Sequence, residues 1–359
     1  MRKSKSSNIW KIMGVYTSAI IGAGFASGQE LLQFFAGYGI WGITGLVVAG
    51  LLFAFTGWAV LEVSLREQIT DGTALLKYAL GERLGLIVEI SAVFFMFVLY
   101  STMMAATGAS LNQYIGLNFT VGVVIGSALA FAALLFDMKG LIAVNSRIAP
   151  FLVIGGLLIG FMTFMDQTTP AFARRENLYW LFAAITYAAY NIVTCVPVLA
   201  SMSVMLKKRK EAIICGVLSG GVMTLLGLFM LYPLYINYAN IRYSEIPLLR
   251  ISANFGYVFE FFYVLIIIGA IYTTAVSNGF ALIQWLNKRI GVKPIYAKMI
   301  LAFSGLLCAH IGFSMFVSRV YPLFAMVGLI QIAGIFSVWL KKSPRAAARH
   351  SERRGSVGV

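Results

Sequence analysis

Residues 19–30 run Ala19-Ile20-Ile21-Gly22-Ala23-Gly24-Phe25-Ala26-Ser27-Gly28-Gln29-Glu30. Two glycines followed by Ser27-Gly28 are poor helix material, yet the segment lies inside an apolar run that starts at residue 12. Backbone that leaves the helix at membrane depth has to line a cavity or be buried in protein. Its freed carbonyls can then hold a cation, and the freed amides of the next half-helix can hold a carboxylate. The plainer alternative is that small residues let helices pack closely. Gln29 and Glu30 favour the break, because a carboxylate inside a span is expensive and marks function.

The surrounding chain fits a bilayer. Of 359 residues 60% are hydrophobic and 11% charged, with a mean hydropathy of +0.86. A soluble domain is about one-quarter charged, so lipid is the expected solvent and partner. The net charge of +15 reads as basic residues flanking apolar spans, not as a nucleic-acid surface. Cys195, Cys215 and Cys308 lie in apolar stretches away from the two histidines, which supports neither a disulfide framework nor a metal centre. The basic start, Met1-Arg-Lys-Ser-Lys5, is followed by no small-residue cleavage site, so it is expected to be retained.

A spanning helix needs about 20 mostly apolar residues. Charge-free runs predict ten, at 9–35, 38–61, 86–111, 118–136, 141–165, 177–200, 212–236, 257–284, 297–315 and 320–340. The long run 90–136 divides at the turn-like Asn112–Asn118. With the N-terminus in the cytoplasm, most cations fall inside, including Lys207–Lys210, Lys288 and Arg289. Arg174, Arg175, Arg242, Arg250 and Arg319 fall outside. That bias predicts a multi-pass protein of the cell membrane with both termini cytoplasmic. Glu62, Glu89 and Glu260, near span ends, are expected to reach water or lipid headgroups.

The spans form two halves. Residues 1–165 hold the first five, residues 177–340 hold the second five, and the polar stretch 166–175 links them. The third and eighth spans begin at 86 and 257, and the charge-free runs of the fifth and tenth begin at 148 and 320. An odd number of spans per half inserts the halves in opposite directions, as in many secondary transporters. The sixth span, with Tyr187, Tyr190, Asn191, Thr194 and Pro197, is then expected to break like the first. The basic tail 341–359 is expected to be disordered and drawn to anionic lipid.

Gly22-Ala-Gly24-Phe in a first span resembles the glycine-rich signature of the amino acid–polyamine–organocation superfamily. The longer string Ile20–Glu30 is similar to the bacterial YkvI family of membrane proteins. The resemblance implies an all-α membrane protein with the LeuT-like fold: a five-plus-five inverted repeat with helices 1 and 6 discontinuous. It also implies where sodium sits in sodium-coupled members. Ala19 and Gly22 would give carbonyls, and Ala270, Thr273 and Thr274 match the Ala-x-x-Thr-Thr spacing of the eighth helix. Sodium is the expected coupling ion, with a proton as the alternative. Threonines that bond their own helix are the bland reading.

The family's cavity lies between helices 1, 3, 6 and 8. The first helix would line it with Gly22, Ala23, Gly24 and Ser27. Tyr100, Ser101, Tyr190, Asn191 and Asn278 would complete it. Glu30 has two open roles: to carry a proton, or to pair with a cation such as Arg319 at an outer gate. The expected function is cation-coupled uptake of an amino acid or similar small polar solute. A nutrient-sensing receptor of the same fold, like spore-germinant receptor subunits, is the alternative. An enzyme is not expected, since no catalytic constellation is present.

Overall fold

The computed structural model describes residues 2–135, 138–165 and 179–341. The expected linker at 166–175 and nearly all of the expected tail lie outside the described residues. The described chain is built of helices. The first three are α1 (Arg2–Ile20), α2 (Ala23–Ala26) and α3 (Gln29–Phe34). Then come α4 (Ile40–Glu67), α5 (Gly72–Leu80), α6 (Glu82–Ile115), α7 (Phe119–Leu135) and α8 (Met138–Met165). The second part holds α9 (Tyr179–Met202), α10 (Arg209–Ile236), α11 (Tyr238–Ile241), α12 (Pro247–Ser252) and α13 (Tyr257–Ile290). It ends with α14 (Pro294–Cys308), α15 (Phe313–Met315), a π-turn at Phe316–Val320 and α16 (Tyr321–Leu340).

Seven of the described helical stretches are long and apolar enough to cross a membrane, and Phe119–Leu135 and Val153–Met165 are shorter apolar helices. Large apolar side chains such as Phe182, Leu323 and Met326 face outward, as a lipid-solvated surface requires.

Small residues set the closest packing. Gly216 and Gly220 of α10 lie against the Ala54 and Gly50 carbonyls of α4; a methyl at either glycine would stand 2.5 Å from the facing oxygen. This is a small-xxx-small seam, which holds membrane helices together through van der Waals contact. Gly328 of α16 rests on the Ala189 carbonyl of α9 in the same way.

Two distant helices share their construction. α6 and α13 are each 34 residues long. Gly81 (φ 83°, ψ 167°) precedes one and Gly256 (φ 97°, ψ 157°) the other. Left-handed Gly116 and Gly291 end them. Asn112 Nδ2 donates to the Leu117 carbonyl at 2.8 Å, and Asn287 Nδ2 to the Val292 carbonyl at 3.1 Å. α6 and α13 pack on each other, as do α4 and α10.

The sixth span corrects an expectation. It is one helix, α9, with Pro197 inside it and no discontinuity. Pro197 removes one donor, but Asn191 Nδ2 bonds the Tyr187 carbonyl (3.0 Å) and Thr194 Oγ1 the Asn191 carbonyl (3.1 Å). The polar side chains serve their own helix, and α16 buttresses its backbone.

Glu62 and Glu89 correct another. Both are buried, not directed to water or headgroups. Glu62 accepts from Trp58 Nε1 (2.6 Å) and pairs with Arg209 (2.8 Å). Glu89 accepts from Trp285 Nε1 (3.0 Å) and pairs with Arg289 (2.9 Å). Each ion pair joins two packed helices, α4 to α10 and α6 to α13. Buried carboxylates persist when paired and hydrogen-bonded in this way.

Candidate functional site

The helical ladder stops at Gly22. Its N–H donates to the Ile20 carbonyl (2.9 Å), not one turn back, and its backbone is extended (φ −86°, ψ −172°). α2 restarts from the Gly22 carbonyl, which accepts from Ala26 N at 3.0 Å. Gly28 then takes a left-handed φ of 80° and opens α3, a conformation that favours glycine. The freed carbonyls find donors outside the segment. Tyr263 OH of α13 donates to the Ala26 carbonyl (3.0 Å), and Leu248 N of α12 to the Ser27 carbonyl (3.0 Å). The Ser27 hydroxyl donates to the Gly24 carbonyl at 2.9 Å.

Gly22 lies beside Thr274: a methyl at Gly22 would stand 3.7 Å from Thr274 Oγ1. Ala19, Gly22, Thr273, Thr274 and Asn278 are all half-buried. Thr273 Oγ1 donates to the Ala270 carbonyl (3.0 Å), and Asn278 Nδ2 to the Thr274 carbonyl (2.8 Å).

Below this junction, on the side that holds the N-terminus, α1 exposes Lys11, Gly14, Val15 and Ser18, while α13 exposes Ser277, Gln284 and Lys288. At three- and four-residue spacing each set is one helix face, and the two faces meet at the Gly22–Thr274 contact. The opposite side is sealed. Residues 23–32 are all buried. Leu248 covers Gly28. Gln29 Nε2 donates to Ser314 Oγ (2.7 Å), and Ser314 N to Glu245 Oε2 (2.6 Å). Burial pushes the Glu245 carboxyl above the usual range, and the Ser314 N–H draws it part of the way back.

Above the break, the Glu30 carboxyl folds back onto Gly24, where a methyl would stand 2.7 Å from the carboxyl carbon. Tyr187, Tyr190 and Tyr321 lie within electrostatic reach of it. The Tyr187 and Tyr190 rings are 5.6 Å apart at 90°, the Tyr190 and Tyr321 rings 5.2 Å apart. Tyr187 and Tyr190 bring their hydroxyls close to the Glu30 carboxyl, yet neither hydroxyl nor Glu30 Oε2 makes a hydrogen bond of good distance and angle.

The gate pairing does not form. Arg319 is exposed in the π-turn, and no ion pair among the described residues joins it to Glu30. Ser101 and Asn191, expected in the cavity, bond their own helix carbonyls. Tyr100 is buried against Gly279 and Gly305 with its hydroxyl unpartnered. Sequence reasoning left Tyr187 and Tyr321 out of the site. Tyr187 stands one turn from Tyr190 on the same helix face, which was a readable signal. Tyr321 had none, since it only opens the last span.

The chain is 25% identical over 348 residues to the membrane protein YkvI of Bacillus subtilis (strain 168), across 96% of this chain and 99% of that one. It is 29% identical over 321 residues to the protein YyaD of the same organism, across 89% and 93%. The chain is similar to both along nearly its whole length. No family model matches it. Among solved structures, the inward-facing conformation of Mhp1 superposes with a TM-score of 0.66 at 12% identity, over 90% of this chain and 75% of that one. MhsT in complex with L-phenylalanine superposes at 0.61 and 13% identity, over 90% and 94%. Both neighbours are LeuT-fold transporters, so the chain has the LeuT fold.

Proposed function

We propose that this chain is a secondary active transporter of ten spans that takes up an amino acid or similar small polar solute, coupled to a cation, sodium before a proton. The observation that carries this reading is the Gly22 backbone leaving its helix directly beside Thr274. The matched α6 and α13, with the same caps at both ends, support two halves of five spans in inverted repeat. Among the described residues the first helix of that arrangement is discontinuous and the sixth is not. The excess of cations on the N-terminal side makes that side cytoplasmic, so the exposed faces of α1 and α13 lie toward the inside. The other side is held shut by α12 and the Gln29–Ser314–Glu245 chain. Alternating access would exchange these two closures around a fixed midplane site.

The donor set suits sodium. Carbonyls of Ala19, Gly22 and Ala270 with hydroxyls of Thr273 and Thr274 are the neutral oxygens a hard cation takes. The bond from Thr273 to Ala270 would be exchanged for a bond to the ion. MhsT, a neighbour solved with L-phenylalanine, supports a small amine-bearing solute. Counterflow in liposomes carrying the purified chain tests the proposal. Labelled solute entering with a sodium gradient, and not with potassium, is the expected result. Uptake that ignores both ions would remove the coupling, and a pH gradient driving it alone would replace sodium with a proton.

A further inference from the structure

Glu30 brings a carboxyl group into the bundle, and among the described residues no ion pair reaches it. No lysine or arginine occurs at 12–65, 176–206 or 320–340, the stretches that hold Glu30 itself and the three tyrosines near it. The Glu30 side chain is 5% exposed, and Tyr187, Tyr190 and Tyr321 are at 1% or less. A buried carboxylate without a cationic partner is costly, and a positive group from outside the chain would relieve that cost.

We propose that Glu30 is the subsite for an organic ammonium group, and that the solute carried is an amine without a carboxylate. This rests on the transporter reading and narrows its substrate.

Three features favour an ammonium. An ammonium brings three N–H donors, and Glu30 Oε2 and the hydroxyl oxygens of Tyr187 and Tyr190, gathered at one place, make no hydrogen bond of good geometry that it would have to displace. The rings of Tyr187, Tyr190 and Tyr321 surround the carboxylate, and Phe34 lies 5.5 Å from Tyr190 and 5.7 Å from Tyr187; aromatic faces attract cations. Finally, the Glu30 carboxyl itself lies on Gly24, next to the amides that would otherwise hold a solute carboxylate. A second anion there would be repelled by the first. Gly22, two residues earlier, is half-buried beside Thr274, so a solute held at the break is adjacent to the cage.

The test is the thermal stability of the purified full chain in sodium buffer, with matched probes that differ only in charge. 2-Phenylethylamine, L-phenylalanine and 3-phenylpropanoate share one ring; butylamine, L-norvaline and pentanoate share one short chain. A ligand that binds the folded state raises its melting temperature with concentration. The expected result is a rise with at least one amine and none with its zwitterionic or anionic counterpart. Glu30→Gln is expected to lose the amine response and keep the response to sodium, which scores the transport site separately. Should Glu30→Gln fail to fold, the pair Tyr187→Phe and Tyr190→Phe keeps both rings and is expected to weaken the amine response at least several-fold. An equal rise with L-phenylalanine, an amine response that survives Glu30→Gln, or no response to either amine overturns the proposal. A pH-dependent stability abolished by Glu30→Gln, with no amine response, would overturn it in favour of a proton.

Discussion

In the proposed five-plus-five arrangement the first and sixth spans occupy matching places, yet the first gives up its helix and the sixth keeps it. Both carry residues that weaken a helix. In the first, the Gly22 N–H turns back to Ile20, and the carbonyls that follow are taken by groups from elsewhere: the Tyr263 hydroxyl and the Leu248 amide. In the sixth, Pro197 removes a single donor, while Asn191 and Thr194 bond the helix they belong to. A helix opens in a membrane where outside partners receive its backbone. A weak helix former without such partners leaves it intact.

Four substitutions probe this contrast. The largest expected loss comes from what holds the sixth helix. Gly328→Ala drives a methyl into the Ala189 carbonyl, and backbone cannot step aside, so a loss of about 3 kcal/mol is expected in reversible unfolding. A near-neutral result would show that α16 does not buttress α9. Next is Arg289→Ala, which strands the buried Glu89. The Arg289 side chain is 41% exposed, so the cost is discounted for solvent to about 2 kcal/mol. Adding Glu89→Gln should restore most of it. Tyr263→Phe removes the outside donor to the Ala26 carbonyl and should cost about 1 kcal/mol, with faster hydrogen exchange across residues 23–28. Unchanged exchange there would mean the break does not depend on α13. Pro197→Ala should change stability by less than about 1 kcal/mol, since the helix is already continuous; a large loss would show that the proline shapes the sixth span after all.

A smaller effect concerns the closed side. The Glu245 carboxyl is raised by burial, so the folded chain binds its proton more tightly than the unfolded chain does. Its contribution to stability is fully present below the ordinary carboxyl pKa and is lost as pH rises through the raised folded value. Glu245→Gln should flatten that slope in melting temperature against pH, and an unaltered slope would assign it to another group.

Much of the fold was readable from residues. Charge-free runs located the spans because a bilayer excludes charge over a fixed thickness, and α6 and α13 begin and end within a few residues of the predicted third and eighth spans. Gly22 stood out because glycine pairs and a nearby carboxylate conflict with an ordinary apolar helix. The sixth span misled because proline and tyrosine look the same whether a helix kinks, breaks or stays whole; neighbours from α16 decide it, and local sequence does not contain them. Glu62 and Glu89 misled for a similar reason. Their partners Arg209 and Arg289 lie far along the chain, and only the packing of α4 on α10 and α6 on α13 brings each pair together. The Glu30 cage was half visible: the carboxylate and Tyr190 were evident, while Tyr321 arrives from the last helix.

The central claim is that the opened backbone at Gly22 and the hydroxyl of Thr274 hold one cation between them. Melting temperatures of the purified chain and of Thr273→Ala and Thr274→Ala, in sodium and in potassium at equal ionic strength, test it directly. A sodium-specific rise in the parent chain that both substitutions abolish is the predicted result. Equal melting temperatures in the two salts, unchanged by the substitutions, would contradict it.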